Sequence, residues 1–316
     1  MNTEAVIEAL TRFRVAALAE QPLYRNDVAA KKQVALLMQA AVGAASAHGE
    51  VRTWVHGGQI VACLLWSSRL HPLFGQEATE FVLEFDVKCP QALAWVREEL
   101  GQWRTWGGEH TTGILQRRYW NLAELLYQVG LPVDGLELLG ECASALGALG
   151  PSVSLPPDLS WSVCASEDVA AVVALRQRVF TQLPQYAWFA AHPAHGEAFA
   201  QRLRQELTGE HLWWVIRRNE EVLGFVGSSV VPENPLWGPR GGVEFVLDPQ
   251  LHGRGVGKEA YRRTLQGLLE RGCPVFKGCS SNPAVLLLAA RMGRRVESFH
   301  VRSGGPHPLA HFSGWL

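Results

Sequence analysis

Gly253, Gly255 and Gly257 alternate with other residues within 246–258, where an apolar strand pattern gives way to a helical one. Glycine there lets the backbone reach conformations closed to other residues and lets a ligand approach without a Cβ in the way. The first amides of a helix lack intrahelical acceptors and carry the positive end of its dipole, so such a turn suits a phosphate or pyrophosphate. Arg254, Lys258 and Arg262 bring positive charge to its opening turns. Two familiar nucleotide motifs do not fit. A P-loop needs Ser or Thr after its lysine, whereas Glu259 follows Lys258, and the dinucleotide fingerprint follows the first strand of its fold.

Those residues need a frame, and the second half of the chain supplies one. Residues 161–165 alternate like a strand, and 167–179 repeat apolar residues at helical spacing behind a Ser166 cap. A second amphipathic helix covers 194–208, and strands 212–217 and 222–231 form a hairpin around Asn219-Glu220-Glu221. Strand 241–247, helix 256–271, strand 275–279, helix 284–292 and strand 296–301 complete the order, which makes the strand before the glycine turn the fourth. The first half repeats it: helices 4–19 and 27–48, strands 51–56 and 60–67 across Gly57-Gly58, strand 80–87, helix 91–106, strand 112–116 and helix 122–129. Residues 143–158 hold Gly147, Gly150, Pro151, Pro156 and Pro157 and read as a linker between units 1–145 and 158–316.

With that strand order, the glycine turn resembles the coenzyme A signature of the GCN5-related N-acetyltransferase superfamily: Gln or Arg, two residues, Gly, one residue, Gly or Ala. His252 takes the first place, and Gly255 and Gly257 the glycine places. The superfamily also has a later Asn with a Gly eleven positions on, and Asn282 and Gly293 keep that spacing. The resemblance covers about 160–303 and, more faintly, the first half, where Val87-Lys88-Cys89-Pro90-Gln91 offers no glycine turn. It implies an α/β (α+β) fold of two tandem units, each a mixed, mostly antiparallel twisted sheet flanked by helices, the first a degenerate copy. Paired units of this total length also occur in mycothiol synthases, a likeness of layout only.

The resemblance implies acetyl-CoA as cofactor, held by Phe245, Val246, Leu247, His252, Gly253, Arg254, Gly255, Val256, Gly257, Lys258 and Asn282, and acetyl transfer to a primary amine of a small molecule or peptide. Backbone groups at Phe245 and Leu247 would pair with the pantetheine arm, and an amide there would stabilise the oxyanion. An alkylammonium has a pKa of about 10.4, so a base must take its proton. Glu244 is the candidate, on the side of its strand opposite Val243, Phe245 and Leu247; a paired structural carboxylate is the plain alternative. The superfamily's usual general acid, a Tyr seven residues after the motif Asn, is replaced by Ala289; Cys279, Ser280, Ser281, Tyr261 or water are the stand-ins. Arg294 stands where an aromatic residue usually packs. Arg291, Arg294 and Arg295 read as a solvated helix end or as attraction for an acidic acceptor. Trp188, Phe189, Trp213, Trp214 and Trp237 fall where the superfamily forms acceptor pockets, with 186–189 as one wall.

Composition bounds the rest. Lys and Arg total 29 against 30 Asp and Glu, so nothing in the overall balance attracts nucleic acid or an anionic membrane. Six cysteines without a CxxC pair, and His71, His110, His192, His195, His300, His307 and His311 without ligand spacing, give no metal site. Glu4, Glu8, Arg12, Arg14 and Glu20 interrupt any leader-like core, and apolar runs 60–66 and 284–290 are too short to span a bilayer. A cytoplasmic protein is expected, and a homodimer is compatible with the sequence. Two competing readings are a non-catalytic acyl-CoA binding or regulatory module, and transfer from aminoacyl-tRNA, which would need a basic groove.

Overall fold

Residues 2–71, 76–108, 110–183 and 193–303 are described by the computed structural model, and their eleven strands form one continuous sheet. In chain order these are β1 (Gly49–His56), β2 (Gln59–His71), β3 (Gln76–Phe85), β4 (Thr111–Gln116), β5 (Val133–Glu141), β6 (Ser160–Val163), β7 (Leu212–Arg218), β8 (Glu221–Val231), β9 (Arg240–Leu247), β10 (Val275–Ser280) and β11 (Arg295–Arg302). The helices are α1 (Thr3–Ala19), α2 (Val28–His48), α3 (Pro90–Gly101), α4 (Ala123–Gln128), α5 (Cys142–Leu149), α6 (Val169–Thr181), α7 (Pro193–Leu207), α8 (Val256–Glu270) and α9 (Pro283–Arg291).

Local chemistry explains the ends of these elements. Asn2 caps α1 through the amides of Glu4 and Ala5, and Asp27 caps α2 through that of Ala30. Gly57 and Gly58, at φ +57° and +78°, make the left-handed two-residue turn that a tight hairpin needs between β1 and β2. Asn219, at φ +52°, plays the same part between β7 and β8.

The sheet order is β1-β2-β3-β4-β11-β5-β10-β9-β8-β7-β6, with only β3–β4 and β9–β10 parallel. The two halves have therefore exchanged strands. β11, from the second half, lies between β4 and β5, while β5, from the first, lies between β10 and β11. Packing follows the exchange. The core under β3 and β4 joins Val96, Leu100 and Tyr119 to Leu286 and Ala289 of α9 and to Val296, Phe299 and Val301 of β11. Phe299 is fully buried there, worth about 1.5–3 kcal/mol.

Several expectations need correction. The first part of the stretch read as a linker, 143–149, belongs to α5, whose Cys142, Ala145 and Leu149 pack against Tyr261, Leu265 and Leu268 of α8. β5 has no counterpart among the expected strands. Ser166 does not cap the following helix: its hydroxyl donates to Glu167, and Asp168 instead accepts from the Ala165 amide at 3.0 Å. Helix 91–106 ends at Gly101, with a separate 3-10 turn at Trp103–Thr105. No helix among the described residues is long and apolar enough to cross a membrane, and no group of three or more His, Cys, Asp or Glu among them could hold a metal ion.

Candidate active site

β9 and β10 pair in parallel from Arg240↔Val275 only as far as Gly242↔Lys277. From Val243 to Leu247, β9 remains bonded to β8, while its edge toward β10 carries no strand partner among the described residues. A wedge thus opens in the sheet. On one face Phe245 packs edge-on against Tyr261 of α8, ring centres 4.2 Å apart. On the other, Val246 joins the core of α6 and α7, and Glu244 meets arginines of the same two helices.

The glycine turn lies at the α8 end of this wedge. Gly253 and Gly255 adopt φ of +73° and +80°, the left-handed region, and Gly255 is the residue preceding α8. The Glu259 amide donates to the Gly255 carbonyl at 3.1 Å, the first bond of the ladder, so the amides of Val256, Gly257 and Lys258 have no intrahelical acceptor. No side chain among the described residues caps them. Among the described residues, a Cβ built on Gly257 would meet only Leu247 Cδ1, at 3.5 Å, and one on Gly253 nothing within 4 Å, while one on Gly255 would stand 3.5 Å from Val153 Cγ1. His252 is exposed.

The basic residues do not all serve this turn. Arg254 donates to Asp158 at 2.8 Å. Arg262 is buried and turned away from the helix start: it donates to the Gly150 carbonyl and pairs with Glu259 at 3.4 Å. Lys258 is half-buried on the opening turn.

Glu244 is clamped. Arg176 Nε of α6 donates to Oε1 at 3.1 Å, and Arg202 of α7 pairs with Oε2. Burial alone would raise this carboxyl, but the two guanidiniums outweigh it and hold Glu244 below its ordinary value. Arg176 also contacts buried His195 and lies over the rings of Phe180 and Phe199, and Arg202 lies over Phe199. Neither arginine was picked out in the sequence, although Arg176 stands in the buried stripe of Val172, Leu175 and Val179, where a charge needs a partner.

The same face continues onto exchanged strands. Glu137 of β5, opposite Cys279 of β10 and Ser298 of β11, accepts from Ser298 Oγ at 2.6 Å and pairs with Lys277 at 2.9 Å, and His300 Nε2 lies 3.5 Å away. Lys277 also reaches Glu297 at 2.8 Å. Despite burial, which acts to raise it, Glu137 is held well below the usual carboxylate range by His300 and Lys277. An amino-terminal residue therefore stands one strand away from the carboxy-terminal wedge.

Asn282 accepts from the Ala284 amide at 3.0 Å and so caps α9, and Gly293, at φ +70°, ends that helix. Ala289 is buried in the core under β11. Of the candidate acids, Cys279 is exposed at the end of β10, Ser280 accepts from the Asn282 amide at 3.1 Å, and Tyr261 meets Arg294 at 3.3 Å. Arg294 is buried rather than solvated: it lies 4.8 Å over the Phe276 ring and donates to the carbonyls of Leu138 and Gly278. It thus fills an aromatic residue's place as a structural cation. Trp213 is core and stacks on Phe225, while Trp237 packs against Tyr24 of the first half. Residues 186–189, His192, His307, His311 and the His71 side chain lie outside the described residues.

The first half treats its own wedge differently. β3 and β4 part after Phe81↔Gly113, but the Tyr119 hydroxyl accepts from the Phe85 amide at 3.1 Å and donates to Glu84 at 2.7 Å. The Tyr119 ring stacks on Phe85, centres 4.5 Å apart. α3 opens with Pro90, which lacks an amide donor.

Residues 155–293 match the model of the acetyltransferase (GNAT) family. A GCN5-related N-acetyltransferase from Sphaerobacter thermophilus superposes over 95% of this chain and 94% of its own, with a TM-score of 0.59 at 13% identity. A GNAT-family acetyltransferase from Colwellia psychrerythraea covers 95% and 97% with a TM-score of 0.51 at 9% identity. A tandem GNAT protein from the clavulanic acid biosynthesis pathway covers 96% of each chain at 12% identity and a TM-score of 0.49. No curated protein sequence matches the chain significantly.

Proposed function

Starting from a chain whose residues 155–293 match the acetyltransferase (GNAT) family model, we propose that the protein is an acetyl-CoA-dependent N-acetyltransferase acting on a primary amine of a small molecule or peptide. Acyl transfer is the family's chemistry; the donor, the acceptor and the site are our reading. The observation that carries it is a single wedge with an uncapped, glycine-lined helix start on one face and Glu244 on the other.

The chain fits the cofactor. The amides of Val256, Gly257 and Lys258 would hold its pyrophosphate, with His252, Gly253, Arg254 and Gly255 around it, and the open edge of β9 at Phe245, Val246 and Leu247 would pair with its pantetheine arm. Asn282, which caps α9, belongs to the same site in this reading. When bound, acetyl-CoA supplies a thioester activated toward amines. A β9 amide would stabilise the oxyanion, and Glu244 would accept the acceptor's proton. Because two arginines depress its basicity, Glu244 is a weak base, so alkaline pH is needed to supply neutral amine. A coenzyme A thiolate is a tolerable leaving group, with a thiol reference pKa near 8.5, so turnover does not depend on the Tyr that Ala289 replaces.

The second reading, an acyl-CoA binding module without catalysis, is favoured by Ala289 and by the clamp on Glu244. Calorimetry with acetyl-CoA tests the cradle. Gly257→Glu should lower affinity at least about tenfold by placing a carboxylate among the phosphate-binding amides; an unchanged constant rejects the site. Coenzyme A release across a panel of amines then separates enzyme from binder.

A further inference from the structure

The connector between the halves runs across the start of α8 and is tied to it along its length. The Gly150 carbonyl accepts from Arg262, and the Ser152 hydroxyl and Val153 amide donate to Glu259 Oε2 at 3.0 and 3.1 Å. Val153 Cγ1 lies 3.5 Å from where a Cβ on Gly255 would stand, so the connector borders the glycine turn. At its far end, Asp158 accepts from Arg254 Nη2 at 2.8 Å and from Arg218 Nε at 3.0 Å. Arg254 belongs to the turn. Arg218 is the last residue of β7 and is oriented by Gln250, whose Oε1 accepts from Nη1 at 2.6 Å.

Two guanidiniums from different elements therefore converge on one carboxylate beside three uncapped amides. The Asp158 side chain is 41% exposed, so its contacts are open to exchange with a ligand. A carboxylate gripped by two arginines has the acceptor oxygens and the sign of charge of a phosphate but only half the charge of a dianion. The ion triad is left with one net positive charge, which a phosphate group would neutralise.

Resting on the cofactor reading above, we propose that Arg218 and Arg254 are a phosphate-binding pair for the cofactor and that Asp158 is its internal stand-in, released when the phosphate arrives. The connector then opens the site as the cofactor enters and closes it as the product leaves. The arginines stay ordered between turnovers, and an empty site presents less bare positive charge to other anions.

Calorimetry at low salt with coenzyme A, dephospho-coenzyme A and inorganic pyrophosphate tests this on the full chain. Asp158→Asn should bind coenzyme A about threefold to fivefold more tightly, the scale of exposed charge pairs. Arg218→Gln and Arg254→Gln should each weaken binding, and Asp158→Asn should bring no gain once both arginines are gone. A gain with coenzyme A alone assigns the pair to the 3′-phosphate; a gain shared by dephospho-coenzyme A or pyrophosphate assigns it to the pyrophosphate. Hydrogen exchange at amides within 150–158 should speed up on binding, and melting temperatures control for folding. Unchanged or weaker binding in Asp158→Asn overturns the stand-in, while loss of binding in Gly257→Glu beside it leaves the cofactor site standing. Failure of both wild type and Asp158→Asn to bind any of the three probes overturns both readings.

Discussion

The clamp on Glu244 makes a specific demand on its kinetics. With the carboxyl held below its ordinary value of 4.5, it is ionised throughout the neutral range, so kcat/KM should show no acid limb from this residue above about pH 4.5 and should rise with pH as the amine loses its proton. Glu244→Gln should lower kcat/KM about 100-fold, at the low end for acid–base catalysis, because a carboxylate facing two guanidiniums is a weak base. A pH–rate profile on the amine that gives turnover checks both; full activity in the variant removes Glu244 from the reaction. The orientation of Glu244 was legible from strand alternation alone, as was the glycine turn from residue type. Its partners were not. Arg176 and Arg202 come from two helices brought together only by packing, and Asp158 sits in a stretch whose prolines say nothing about which side chains it meets.

At the level of elements, the exchange of β5 and β11 decides how the halves depend on one another. Without β11, β4 and one edge of β5 lose their neighbour, and the core under β3 loses Val296, Phe299 and Val301. Residues 1–150 or 151–316 expressed alone should therefore be unfolded or aggregated, and co-expression should recover a soluble pair; a cooperative melt from either half alone would contradict this. Local pattern could not reveal the exchange. β5 escaped because Gly135 and Gly140 look like breaks, whereas Gly140 is there for close approach: a Cβ would come within 2.9 Å of Arg294 Cγ and of the Phe276 ring. Both faces of the strand are covered, which erases the alternation by which a strand is recognised. Hairpins and helices were legible because their signals lie within a few residues.

Across the whole molecule, the central sheet carries paired charges from both halves, Glu137 on Lys277 and Glu244 on Arg176 and Arg202. Both carboxyls titrate lower in the folded chain than in an unfolded one. Their contribution to stability is present above the unfolded value of 4.5 and is lost as pH falls through the folded values. Melting temperature should hold between pH 8 and 5 and drop below about 4.5. Glu137→Gln should flatten that drop while lowering stability at pH 7 by about 1–3 kcal/mol, because Lys277 keeps only Glu297. Thermal melts across pH check both; an acid slope identical in the variant would show that Glu137 is not responsible.

The interleaving of β11 between β4 and β5 also has a consequence for biosynthesis. About 150 residues separate the end of β5 from the start of β11. At about 5–20 residues per second, a ribosome takes roughly 8 to 30 s to make them. For that time the nascent amino-terminal half has a vacant strand position, with two unpaired edges and an unfilled core, so it should be a chaperone client during translation and not afterwards.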